Sequence, residues 1–167
     1  GAPAAPWLHA QAARRMGERL SIVKRTPTVG LDWWASLGGG APVLQAAYPQ
    51  ARRLAVEPVR AAAAAPAATP WWSPKRWARE PEAAVPQDDL PDGQAQLLWA
   101  NMMLQASTDP IQTMRRWHRA LAVDGFLMFS TLGPGTLPEL RSLYARSGWG
   151  PPFAPLVAAL RQALPLA

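Results

Sequence analysis

An acidic residue, a run of glycines and a second acidic residue follow one another at spacings that suit the binding of a nucleoside. Asp32 comes shortly before Gly38, Gly39 and Gly40. Glycines let a backbone approach a ligand closely because no Cβ stands in the way. Glu57 follows roughly 20 residues later, a distance at which a carboxylate can accept hydrogen bonds from both hydroxyls of a ribose. This set indicates a nucleoside-type cofactor site.

The elements around these residues have the alternating pattern of a parallel sheet. Residues 28–32 form a short apolar run between Pro27 and the glycines, as a buried strand would. Residues 42–48 predict a short helix opened by proline, and residues 52–57 predict a second strand ended by Pro58. Strand, glycine loop, helix and strand in this order are typical of a β-α-β unit.

The second half of the chain repeats the alternation. Residues 97–100 predict a buried strand that turns polar at Asn101, and a helix is predicted from Pro110. A tight turn is expected at residues 124–125, followed by an apolar strand over residues 126–131. The expected fold is an α/β, Rossmann-like, doubly wound and mostly parallel sheet with helices on both faces. In such sheets ligands bind at the carboxyl ends of the strands, where Asp32, Glu57 and Asn101 would meet.

Composition narrows the classes of function. The chain has 167 residues, a length typical of one domain, and it contains no cysteine. Disulfide frameworks, thiolate zinc sites and cysteine nucleophiles are therefore excluded. No histidine has a second ligand at metal-binding spacing, so no metal is predicted. No apolar run reaches the length of a membrane helix, and we expect a cytoplasmic protein with no membrane partner.

The net charge of +6 favours acidic partners. The basic residues are spread in pairs and form no run of five or more, which favours solvated faces over a groove for nucleic acid.

An alanine-, proline- and tryptophan-rich segment, residues 61–94, separates the two halves and is predicted to be irregular. Its "WWSPKRW" stretch, residues 71–77, has two interpretations. The tryptophans either cover the edge of the sheet or an open side of the core, or form an aromatic lid or partner-docking surface.

Longer stretches resemble one enzyme family. "LLWANMMLQ", "WHRALAVDGFLMFSTLGPGTLPELR" and the "AVEP" at the end of the second predicted strand are similar to the malonyl-[acyl-carrier protein] O-methyltransferases of biotin synthesis, which are class I S-adenosylmethionine-dependent methyltransferases. "FSTLGPGTLPELR" is the most specific part. The resemblance implies a class I methyltransferase-like domain over residues 1–150, with residues 151–167 as a tail or extra helix. Family members have two further strands after the "ELR" helix, so an incomplete methyltransferase sheet is expected.

The resemblance also implies roles for particular residues and molecules. Glu57 falls on the acid that holds the cofactor ribose, and Asn101 falls on the residue that closes the strand beside the transferred methyl group. The partner implied is acyl carrier protein bearing a malonyl group, whose free carboxylate accepts the methyl group. No catalytic residue is assigned, because an ionised carboxylate needs no strong base. The cofactor-binding residues implied, by position, are Asp32, Trp34, Gly38, Gly39, Glu57 and Asn101.

The chain departs from the family at the glycine loop. In the pattern acid-x-Gly-x-Gly-x-Gly the first two glycines fall on Trp34 and Ser36, and only Gly38 is in register. The acid that contacts the adenine after the third strand has only Asp88 or Asp89 as candidates.

Three functions therefore remain open. The first is an S-adenosylmethionine-dependent methyltransferase. The second is a methyltransferase-like binding or assembly factor that has lost the cofactor, and the third, resting on charge and tryptophans alone, is a nucleic-acid-binding protein.

Overall fold

Five parallel strands form the sheet in the order β3-β2-β1-β4-β5. The computed structural model describes residues 6–58, 84–133 and 138–148. The strand order reverses between β1 and β4, which places the topological switch point at the centre of the sheet. The strands are β1 (Val29–Trp33), β2 (Arg52–Glu57), β3 (Val85–Pro86), β4 (Ala95–Asn101) and β5 (Leu121–Ser130).

In the described residues, five helices and three short 3-10 turns accompany the strands. The helix α4 begins where the sequence predicts, because Asp109 caps it by accepting the backbone N–H of Gln112 at 3.0 Å. The 3-10 turns are Arg19–Ile22, Gln87–Asp89 and Leu104–Ala106. The helices are α1 (Trp7–Glu18), α2 (Ala35–Gly38), α3 (Ala41–Ala47), α4 (Pro110–Ala120) and α5 (Pro138–Arg146).

Two apolar clusters lie on opposite faces of the sheet. Leu97 and Trp99 of β4 pack with α1 and α3 on one face. Leu98 and Ala100 of the same strand pack with Trp117 of α4 on the other face. Successive side chains of a strand alternate between faces, so a strand covered on both sides is apolar along its length, as β4 is. The predicted doubly wound sheet with helices on both faces is confirmed.

The turn predicted at residues 124–125 is wrong. The strand β5 runs from Leu121 straight through these residues, and its register against β4 shifts between Ala95 and Leu97. Asp124 has a positive φ of 69° inside the strand. Between the pairs Ala95–Leu121 and Leu97–Phe126, β4 advances by two residues and β5 by five. The Asp-Gly pair therefore marks a bulge that absorbs three extra residues without reversing the chain.

Part of the segment predicted to be irregular contains a strand. The two residues of β3 pair with the end of β2, an element too short to leave a pattern in the sequence. Residues 71–77 and 151–167, with most of the 61–94 segment, lie outside the described residues. The domain boundaries at residues 1–150 and 151–167 stay predictions.

Candidate functional site

The candidate residues gather at the carboxyl edge of the sheet. Parallel strands point the same way, so the ends of β1, β2, β3 and β4 share one edge. The short helix α2 follows β1 at this edge, and Gly39 and Gly40 connect it to α3. The six predicted cofactor-binding residues all lie in or directly after these strands, or in α2 and its C-cap: Asp32, Trp34, Gly38, Gly39, Glu57 and Asn101.

Asp32 is a fully buried carboxylate with only one strong partner. Its Oδ2 atom lies 2.9 Å from Nη1 of Arg53 on the neighbouring strand. Its Oδ1 atom accepts no hydrogen bond from any described residue. Burial raises the pKa of Asp32 to about 6, against the opposing charge and hydrogen bond of Arg53 and with a small further rise from the charge of Glu57.

Trp34 holds the start of the loop in a left-handed conformation. Its φ is 50° and its ψ is 54°, a backbone conformation that residues other than glycine seldom adopt. The indole Nε1 donates to Oε1 of Gln87 at 3.0 Å, and the ring packs against the core. Its carbonyl oxygen accepts the N–H groups of Leu37 and Gly38 at 3.0 and 2.9 Å. The backbone of Trp34 therefore adopts a conformation typical of glycine, at the position onto which the resemblance places the first glycine of the family pattern.

The three glycines of the loop have different constraints. Gly39 has a φ of 65° and caps α2. A Cβ on Gly40 would lie 2.6 Å from both Asp32 Oδ1 and Trp99 Nε1, whereas a Cβ on Gly38 would have ordinary contacts at 3.5 Å or more. The close approach at Gly40 is thus to the protein's own buried polar atoms.

Both carboxylate oxygens of Glu57 are engaged by Ser36. The backbone N–H of Ser36 donates to Oε1 at 2.8 Å, and its hydroxyl donates to Oε2 at 3.0 Å. The half-buried Glu57 is thus joined to α2, and Ser36 itself is exposed. The predicted ribose acid can accept two donors at once.

Asn101 connects three elements. Its Nδ2 group donates to the carbonyls of His9 in α1 and Gly38 in α2, each at 2.7 Å. Its Oδ1 atom accepts the hydroxyl of Ser130 in β5 at 2.7 Å. The side chain is fully buried, both of its N–H donors are used and its oxygen accepts one hydrogen bond. Asn101 therefore holds the loop against α1 and β5 in this conformation.

A cavity of about 420 Å³ adjoins the loop. Trp34, Gln87 and Asp88 line it on one side, and residues along α4 as far as Arg119 line it on the other. Arg116 of α4 fixes the turn after β3 by donating to the carbonyls of Gln87, Asp88 and Leu90 at 3.2, 3.1 and 2.6 Å. Of the two acids considered for an adenine contact, Asp88 lines this cavity. Its volume lies within the range of small-molecule sites.

Malonyl-[acyl-carrier protein] O-methyltransferases are similar to this chain in sequence. No protein-family model matches the chain. It is 35% identical over 144 residues to a malonyl-[acyl-carrier protein] O-methyltransferase of Laribacter hongkongensis, covering 83% of this chain and 48% of that protein. It is 30% identical over 148 residues to the enzyme of the same name from Gallionella capsiferriformans, covering 86% and 51%. The resemblance to malonyl-[acyl-carrier protein] O-methyltransferases is confirmed. The chain spans about half the length of the curated relatives that it matches.

A solved structure supports the fold independently. A chain in the complex between the Haloferax volcanii Trm112 methyltransferase activator and a methyltransferase matches 93% of this chain with a TM-score of 0.56, and 67% of its own length is covered. The identity is 14%, so this likeness shows the fold alone. The predicted Rossmann-like α/β fold is thereby confirmed.

Three residues that shape the site of this relative of the malonyl-[acyl-carrier protein] O-methyltransferases are not predicted from the sequence as site residues. Ser36 drew attention only as a departure from the glycine pattern, although it is the partner of Glu57. Arg53 and Gln87 were not singled out, and the sequence carries no signal for Gln87. Arg53 could have been found, since a basic residue on β2 faces the buried acid of the adjacent strand.

Within residues 6–58, 84–133 and 138–148, no helix is both long and apolar enough to cross a bilayer. Over the same residues, no three His, Asp or Glu side chains converge as a metal site would require.

Proposed function

We propose that this chain carries the cofactor-binding part of an S-adenosylmethionine-dependent O-methyltransferase that acts on a malonyl thioester of acyl carrier protein. The observation that carries the proposal is the carboxylate of Glu57 at the carboxyl edge of the sheet, whose two oxygens accept two donors from Ser36. The 420 Å³ cavity lined by Trp34, Gln87 and Asp88 adjoins the same loop. The names of the relatives support an enzyme over a binding factor without cofactor.

The side chains at this edge of the sheet have the hydrogen-bonding groups that the nucleoside part of the cofactor needs. Two donors already sit on the Glu57 oxygens at 2.8 and 3.0 Å, the arrangement that two neighbouring ribose hydroxyls require. Glu57 would hold the ribose, and Gln87 and Asp88 on the cavity wall offer polar contacts to the base. Asn101 would keep the loop in place through Gly38.

The chemistry needs positioning more than proton transfer. When bound, the cofactor supplies a methyl group on a sulfonium centre. A malonyl carboxylate is ionised at neutral pH and is already a nucleophile, so no residue of the chain has to act as a strong base. The chain's task is then to orient the acceptor and to exclude water.

Calorimetric titration of the purified chain with S-adenosylhomocysteine tests the cofactor site. We expect saturable binding, and we expect Glu57→Ala to weaken it by at least about 1 kcal/mol, because a charged acceptor of two hydrogen bonds is removed. Glu18→Ala, which removes an exposed carboxylate on α1, is the matched control and should bind as the unchanged chain does. Absence of binding at millimolar ligand would refute the proposal.

Transfer of a radiolabelled methyl group tests the acceptor. Malonyl-loaded acyl carrier protein should be labelled, and acetyl-loaded carrier, which lacks the free carboxylate, should not. The net charge of +6 favours an acidic carrier, so labelling should also slow as salt is raised. Equal labelling of both carriers would rule out the malonyl carboxylate as the acceptor.

A further inference from the structure

Ser36 presents two hydrogen-bond donors to one carboxylate. Its backbone N–H and its hydroxyl reach different oxygens of Glu57, at 2.8 and 3.0 Å. A glycine at this position would offer the backbone donor alone. The serine hydroxyl therefore supplies the second donor that completes the pairing of the carboxylate.

The rest of the loop holds Ser36 in this place. Trp34, two residues earlier, is fixed by its bond to Gln87 at 3.0 Å and by its two carbonyl bonds into α2. Gly38, two residues later, is held by Asn101 at 2.7 Å. The segment between two fixed ends is short, so the Ser36 side chain stays near Glu57.

The two Glu57 oxygens that a ribose would use are the same two that Ser36 uses. A ribose diol and the Ser36 pair cannot both hold them in this geometry. We propose, resting on the proposed function above, that Ser36 competes with the ribose for Glu57 and thereby sets the affinity of the site for ribose-bearing ligands. Because Ser36 is exposed, its two donors are hydrated when they leave the carboxylate, and the exchange is reversible.

The test compares Ser36→Ala with the unchanged chain, using adenosine and dideoxyadenosine, which lacks the two neighbouring ribose hydroxyls, as probes. Removing the hydroxyl frees Oε2 of Glu57, so Ser36→Ala should bind adenosine about five- to tenfold more tightly. Dideoxyadenosine should bind both proteins equally. Ser21→Ala is the matched control, because this exposed hydroxyl donates only to a carbonyl of its own helix turn, at 2.7 Å.

A ligand-free measurement separates this competition from the cofactor site itself. A double-mutant cycle of Ser36→Ala and Glu57→Gln in urea unfolding should show coupling between the two residues. Equal adenosine affinity of Ser36→Ala and the unchanged chain overturns the competition and leaves the proposed function standing. Absence of adenosine binding to both proteins, with the coupling intact, overturns the competition and the proposed cofactor site together.

Discussion

The carboxylate of Asp32 is fully buried and lies 2.9 Å from the guanidinium of Arg53, whose side chain is 36% exposed. The ion pair joins β1 to β2 directly beneath the loop. Arg53 stays partly hydrated, so its charge only partly offsets the cost of burying the carboxylate. For that reason the pKa of Asp32 is raised to about 6.

Stability should depend on pH through Asp32. A raised pKa means that the folded protein binds the Asp32 proton at a higher pH than the unfolded chain does. The free energy of unfolding should therefore increase as the pH falls below about 6, and this increase should level off near pH 4. Urea unfolding at pH 7 and pH 4.5 should show the unchanged chain gaining on the order of 2 kcal/mol relative to Asp32→Asn. A stability difference between the two proteins that stays constant with pH would contradict the raised pKa.

Because Trp34 has a positive φ, glycine should be more stabilising than alanine at this position, the reverse of their usual order within a helix. Trp34→Ala and Trp34→Gly both lose the indole and its bond to Gln87, but only alanine keeps the strain of a left-handed backbone. The glycine variant should therefore be more stable by about 1 kcal/mol in thermal or urea unfolding. At Leu37 in α2 the order should be the ordinary one, with alanine the more stable. If alanine were also better at position 34, its backbone would not be left-handed.

Gly40 should tolerate no side chain. Gly40→Ala places a methyl group 2.6 Å from the buried Asp32 and Trp99 side chains, and it should cost about 2 to 3 kcal/mol of unfolding free energy. Gly38→Ala meets only ordinary contacts at 3.5 Å and should cost about 1 kcal/mol or less. Urea denaturation of the two variants gives the comparison, and a smaller loss at Gly40 than at Gly38 would be incompatible with this packing.

Removing the amide of Asn101 should lower the free energy of unfolding. Asn101→Ala leaves the carbonyls of His9 and Gly38 and the hydroxyl of Ser130 without their buried partner. We expect a loss of about 3 kcal/mol in urea unfolding, because three hydrogen bonds to buried or part-buried groups are lost at once and the Ser130 hydroxyl keeps only the bond from the Met102 N–H. Gln94→Ala, which removes an exposed amide, should change stability by less than about 0.5 kcal/mol. A small effect at Asn101 would mean that the three elements are joined by other contacts.

The elements of the sheet could be predicted where one physical signal dominates. The bounds of β2, residues 52–57, were predicted as they are found, because charged and proline residues bracket an apolar core. The strand β1 is displaced by one residue, since Trp33 is as apolar as the run before it. The Asp124–Gly125 pair misled, because the same left-handed preference serves a turn and a bulge.

The site could be predicted in its position but not in its contacts. The sequence order alone places Asp32, Glu57 and Asn101 at one edge of a parallel sheet. The bond between Ser36 and Glu57 joins residues 21 positions apart and depends on the left-handed turn at Trp34. A tryptophan gives no local sign of that conformation, so the pairing could be found only in three dimensions.

The central strand pair also has a consequence for synthesis on the ribosome. Val29 at the start of β1 donates to Gln96 at the start of β4, 67 residues further along the chain. At translation rates of about 5 to 20 residues per second, β4 is synthesised several seconds after β1. Until β4 emerges, the apolar faces of β1 and α1 lack the strand that covers them. The nascent chain is therefore expected to need protection by chaperones at this stage.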